Sequence, residues 1–334
     1  MKTQSLLPGI VAVCLVAWGG VGRAADSTWT GATDALWSTT TSWNPSAPIA
    51  ADRAIFDGLG NGNTTLDLET GATIAQILFD TANAAAYTLG TSGTQTLTLG
   101  TSGSVTVNST VATNQSIAAA LRLGDGSAGS FTLTNDSLTS LLALSGGITG
   151  GTGGTGGAQT LVVAGAGNTT ILGNLANGGA TTLGLTKQGT GTLTLSGTNN
   201  TATGDIAVAG GRLVVAGTTN IATATTGTFN VGTAAATARL DLSGNLTTYM
   251  MNIGTVSGAT GAVYQTGGTT TITRAANTLD FQIGAAGGAY GFYGMSGGSL
   301  TVNAEPTAPA IAAIGGGFTL ALRRRARRNG TLPA

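Results

Sequence analysis

The sequence predicts an all-β chain wound as a right-handed parallel β-helix, a β-solenoid, with a short C-terminal apolar helix. Three observations carry this. Thr, Val, Leu, Ile and Gly are abundant and Glu, Lys and Pro scarce, a balance that suits many short strands joined by tight turns. Gly191-Thr-Leu-Thr-Leu-Ser-Gly197 returns twenty residues later as Gly211-Arg-Leu-Val-Val-Ala-Gly217. Gly267-Gly-Thr-Thr-Thr-Ile272 recurs thirty residues on as Gly297-Gly-Ser-Leu-Thr-Val302, and Val263-Tyr264 and Phe292-Tyr293 precede the two copies. Periods of this size are those of stacked coils. Roughly eleven to fourteen coils at about 4.8 Å each would make a rod about 50–65 Å long. A β-sandwich is the alternative fold; it would want about seven longer strands and no internal period.

Composition narrows the function classes. Only 8% of the 334 residues are charged, yet 41% are hydrophobic and the net charge is zero, so the chain is not of the disordered type. Its 56 glycines follow no Gly-X-Y period, which excludes collagen. Between residues 25 and 304 twelve acids face six basic residues, an excess of negative charge that argues against a nucleic-acid partner. Cys14 is the single cysteine and there is no histidine. An internal disulfide, Cys/His zinc sites and triads with a histidine base are therefore excluded.

Taken in order, residues 1–24 read as a signal peptide for the export machinery. Lys2 gives the positive start, Leu6 to Val21 the apolar segment, and Gly22-Arg23-Ala24 the small residues before a cut between Ala24 and Ala25. A permanent anchor helix is the other reading, weakened by Pro8, Gly9, Gly19 and Gly20. Residues 25–63 hold Trp29, Trp37 and Trp43 and read as a cap closing the first coil, or else as indole faces for sugar stacking.

Residues 64–304 carry the repeats. Expected strands are Thr65–Leu68, Gln76–Phe79, Thr94–Leu99, Ser104–Val107, Ser130–Thr134 and Gln159–Val163, then Gly191–Leu195, Asp205–Val208, Arg212–Val215, Arg239–Leu242, Thr269–Ile272 and Ser299–Val302. Apolar residues alternate with Thr or Ser along them, the pattern of a strand buried on one face. Gly or Asn follows nearly all of them, where turns ask for positive φ. Gly146 to Gly157 is the most glycine-dense stretch and reads as a loop bulging from the solenoid. It matches a dinucleotide fingerprint only formally, since no helix pattern and no acid follow, so no cofactor is predicted.

At Lys187-x-Gly189-x-Gly191-Thr-Leu-Thr-Leu-Ser-Gly197, Asn200-Thr201-x-Thr203-Gly204 and Gly210-Gly211-x-Leu213-x-Val215 the chain resembles the autotransporter-associated β-strand repeat of bacterial passenger domains. Ala202 stands where that repeat usually has an aromatic. The resemblance implies β-helix coils on an exported protein. Residues 305–328 resemble a PEP-CTERM sorting signal: Glu305-Pro306, apolar Ala308–Leu322, then Arg323, Arg324, Arg325, Arg327 and Arg328, with Ala304 in place of the first proline. This second resemblance implies an exosortase-like processing enzyme as partner, and surface polysaccharide as a further one. The physical reading agrees: an apolar run stopped by arginines holds its basic end in the cytoplasm and makes a transient membrane contact through 308–322. The other reading of this segment is a buried helix. Residues 329–334 are a short tail.

The candidate catalytic pair is Asp67 and Glu69 in Thr65-Leu-Asp-Leu-Glu-Thr70. Two apart on a strand, they would share a face at a spacing compatible with an inverting glycosidase. The alternative is that Leu66 and Leu68 face the core while both acids face water. Asp205, Asp241 and Asp280 read as solubility charges in polar turns. The sequence therefore predicts an exported structural or adhesive surface protein with no catalytic residue, cofactor or metal; the alternative is a polysaccharide-binding or -cleaving module built on Asp67, Glu69 and the tryptophans.

Overall fold

Alternating side chains need a wall with one wet and one dry side, and the chain builds three such walls around one core. The computed structural model describes residues 24–91, 93–152, 156–221, 226–274 and 280–302. The first face starts at Asp26–Trp29 and Arg53–Phe56 and continues through Gly129–Asn135, Ala158–Ala164, Thr182–Lys187, Ile206–Val208, Thr228–Val231 and Met250–Ile253 to Phe281–Ile283. The second face has ten strands, from Thr65–Leu66 to Tyr290–Met295. The third runs through Ala120–Leu123, Ile148–Gly150 and Leu175–Ala176, and on through Thr218–Asn220, Asn245–Thr248 and Thr269–Ile272 to Ser299–Val302. Backbone bonds from Thr201 to Leu175 (2.8 Å) and from Asn200 to Thr218 (2.9 Å) join its two halves.

The strand ladders are parallel except where Trp43–Asn44 runs antiparallel to Asp26–Trp29 at the start of the first face. This is a parallel β-solenoid and not the alternative sandwich. Both sequence repeats are register partners: Leu193 lies on Leu213 and Leu195 on Val215, while Thr270 lies on Leu300 and Ile272 on Val302. The ten strands of the second face give about ten coils, roughly 50 Å of rod, fewer than the expected eleven to fourteen. Long corners explain the difference; Gln265, for example, meets its partner Met295 a full thirty residues on. Among the described residues the helical element is the short 3-10 turn Thr40–Ser42. The expected C-terminal helix lies outside them.

Inward residues of successive coils stack in columns. Leu97, Leu121, Ile148 and Leu175 form one, and Phe131, Leu161, Leu185, Ile206, Phe229 and Met251 another. All are buried. Each fully buried Leu, Ile or Phe contributes about 1.5–3 kcal/mol of transfer free energy, and this continuous core holds the coils together.

Two corners differ from expectation. Thr94–Leu99 and Ser104–Val107 belong to one strand, Thr96–Val107, which bends from the third face to the first around Gly100 to Gly103, with Ser102 at φ 58°. The glycine-dense stretch is not a bulging loop where it is described. Ile148–Gly150 is a strand of the third face, and a Cβ on Gly146 or Gly151 would overlap the backbone of Ala119 or of Gly124 and Gly126. Here glycine lets two coils touch.

Candidate functional site

The pairing of Asp67 and Glu69 depends on both sitting in one strand, and they do not. The strand ends at Leu66. Leu66 and Leu68 are buried as the alternation required, but Glu69 has turned into the left-handed region at φ 54°. Asp67 Oδ1 accepts from the Glu69 amide at 2.7 Å and from Gln95 Nε2. Glu69 Oε2 accepts from the Ser38 amide at 3.2 Å. Each carboxylate thus fastens a loop of the first coils to its neighbour.

The three tryptophans are likewise turned inward, at 0%, 7% and 4% exposure for Trp29, Trp37 and Trp43. Trp43 stands edge-on to both others with ring centroids 5.0 Å apart, and to Phe56 at 5.8 Å. Their polar tips are satisfied: Trp29 Nε1 donates to Asn63 O and Trp43 Nε1 to Trp37 O, both at 2.8 Å. These three rings offer no open indole face to a sugar. The aromatic spine continues through Phe79 to Tyr87, whose hydroxyl donates to Asp57 O at 2.7 Å. Burial, followed by the Asp57 charge, pushes that phenol up to about 12. A shallow depression of about 600 Å³ opens nearby, lined by Asp57, Leu59, Asn61, Thr81 and Asn83. Asn61 bonds Asn83 O and the Ala85 amide there, again tying loops together.

The segment 185–217 spans two stacked coils and places Lys187 inside. The side chain occupies a core column between Val163 and Val208 and is 2% exposed. Nζ donates to the carbonyls of Gln188, Gly189 (3.1 Å) and Gly210 (3.5 Å), so it links its own corner to the next coil. Burial pulls its pKa down to about 8. The sequence held the signal: Lys187 is in phase with inward Leu183 and Leu185. Ala202 is also buried, at the turn where the repeat usually has an aromatic.

The acids read as solubility charges are more engaged than that. Asp241 is only 9% exposed and bridges Arg212 and Arg239. Asp280, at 3%, faces Arg274 at 3.4 Å. Asp205 accepts from the Thr228 amide at 2.7 Å. Of the residues expected to serve export, Ala24 and Ala25 are exposed just before the first strand. The Ala25 amide donates to Asp52 Oδ1 at 2.9 Å, and its carbonyl accepts from Arg53 at 2.8 Å. Residues 1–23, Glu305, Pro306, Arg323, Arg324 and Arg325 lie outside the described residues. Among the described residues no group of three or more acidic or metal-ligating side chains could hold a metal ion, and no helix is long and apolar enough to cross a membrane.

The family model of the Passenger-associated-transport-repeat matches residues 185–215. These residues form the strand pairs Leu185 on Ile206 and Leu195 on Val215. Match and solenoid together fit an autotransporter-associated repeat protein. No curated protein and no solved structure matches the chain.

Proposed function

We propose that this chain is an exported β-solenoid that works as a structural or adhesive rod at the cell surface or in its surrounding matrix. The carrying observation is the passenger-type repeat at 185–215, set within a ladder of the same construction on both sides. The reading includes removal of residues 1–24 by the export machinery. The position of Ala25 supports this: a cut before it would convert an amide already 2.9 Å from the Asp52 carboxylate into an ammonium, and strengthen that bond. It also includes sorting through Glu305, Pro306 and the arginines from Arg323 on. There an exosortase-like enzyme would act while 308–322 touches the membrane. We assign the chain no reaction and no cofactor.

Cell fractionation combined with mass spectrometry of both mature termini tests the proposal. The expected product begins at Ala25, has lost its arginine cluster, and is found outside the inner membrane. A cytoplasmic protein uncut at both ends would overturn it.

A further inference from the structure

Outward positions of the described strands are largely Thr, Ser, Asn and Ala, and the second face carries a strip that departs from this. Over the strands Gly211–Val215, Thr237–Leu242, Thr260–Gln265 and Tyr290–Met295, register stacks Arg212 on Arg239, and Arg239 on Ala262 followed by Phe292. The adjacent outward column carries Asp241 on Tyr264 on Gly294. The guanidinium carbon of Arg239 lies 4.4 Å from the Tyr264 ring centroid, and Tyr264 meets Phe292 at 5.4 Å with the rings tilted by 48°. Tyr264 and Phe292 are each 38% exposed and Tyr290 is 60% exposed.

We propose that this strip binds a linear polysaccharide bearing carboxylate groups. Four features select that occupant. Gly211–Val215, Thr237–Leu242 and Thr260–Gln265 are each paired on both sides, so along these strands only side chains can make contact; Tyr290–Met295 is the last strand of the face among the described residues. The groups recur at one rung per coil along the rod axis, about 4.8 Å apart, which suits an extended polymer with a repeating ring. Exposed aromatic rings offer flat apolar surface to the C–H faces of sugars. Two guanidinium groups share one carboxylate and keep about half of each side chain in solvent (47% and 48%), which leaves N–H donors for an anion. The charge is also local. Leaving out the buried Lys187, residues 182–302 carry three arginines against three acids, whereas residues 24–136 carry nine acids against two arginines. An anionic chain is therefore repelled by the first half of the rod and not by the second.

Gly294 sets the geometry. A Cβ there would lie 2.7 Å from Phe292 Cε1, so the missing side chain is what lets the Phe292 ring lie down beside Tyr264.

The inference rests on the adhesive reading above, but its test is separate from where the protein resides. Purified full chain is run by affinity electrophoresis through gels containing polygalacturonate, with dextran as the neutral control. Retardation by polygalacturonate alone, weakening as salt is raised, is expected. Phe292→Ala and Tyr264→Ala should each weaken it about tenfold. Gly294→Val, which changes no charge and no contacting group, should do the same by displacing Phe292. Arg239→Gln should weaken it and flatten its salt dependence. Should Arg239→Gln fail to fold with Asp241 left half-paired, the two aromatic variants, whose side chains point outward, still decide. No retardation of the wild-type chain, or equal retardation of all variants, overturns the proposal. So does sedimentation showing a self-association that the same variants abolish, since the strip would then belong to a second copy.

Discussion

Gly217 shows why glycine closes so many strands here. Its φ is not in the left-handed region, so the turn does not demand glycine on that ground. The reason lies in the neighbouring coil: a Cβ on Gly217 would overlap the carbonyl oxygen of Gly197, one on Gly244 that of Gly217, and one on Gly268 that of Gly244. The corner between the second and third faces is thus a glycine ladder in which each residue makes room for the last. Gly217→Ala should cost about 1–3 kcal/mol, since the obstructing atoms are backbone on both sides. Gly62→Ala, at a site with nothing within 4 Å, should change stability by no more than about 0.5 kcal/mol. Urea melts of the two variants make the comparison; equal midpoints would mean that the coils are not held this close.

At the level of single elements, the strands were legible because alternation is a local property: the expected Thr-and-Leu runs formed strands, although Thr65–Leu68 stops short at Leu66. The corners were not legible, because what decides them is a residue one coil away. Buried polar side chains are the clearest case. Asn135 Nδ2 donates to Ser140 O at 2.9 Å and Asn168 O at 2.7 Å, and Gln265 Nε2 to Gly267 O at 3.1 Å, Gly268 O at 3.2 Å and Ser299 O at 2.9 Å. Lys187 does the same work with a charge. Its unfolded-state pKa is near 10.5 and its folded value about 8, so between those pH values the unfolded chain binds more protons and stability climbs with pH. The climb is on the order of 3 kcal/mol and should be absent in Lys187→Met. Above pH 10 the sign reverses. Tyr87 and Tyr293 are raised from 10.0 to about 12 by burial, so the stability they contribute is present below pH 10 and lost as pH rises through 12. Denaturant melts of wild type and Lys187→Met from pH 7 to 10 read the difference, and parallel curves would mean that Lys187 titrates as in water. The outward strip was illegible for the same reason as the corners: Arg212, Arg239, Tyr264 and Phe292 are far apart in the chain and meet only through inter-coil register.

Across the whole molecule, the first coils are organised unlike the rest. Trp43–Asn44 pairs antiparallel on the first strand, and Trp29, Trp37, Trp43 and Phe56 fill the space beneath it, so the edge of the first face is covered there. Among the described residues, the core column that runs through Val208, Val231 and Ile253 ends on Ile283, which is 49% exposed. In a stack of this kind each coil touches only its neighbours, so a lesion should stay near where it is made. Trp43→Ala removes a ring that contacts three others and should cost the first coils about 3–5 kcal/mol. Hydrogen exchange should then show lost protection in Asp26–Trp29, Arg53–Phe56 and Ala72–Phe79, while Thr182–Lys187 and Thr237–Leu242 keep theirs. A uniform loss along the rod would show instead that the solenoid unfolds as one cooperative unit, with the tryptophan cap setting the stability of every coil above it.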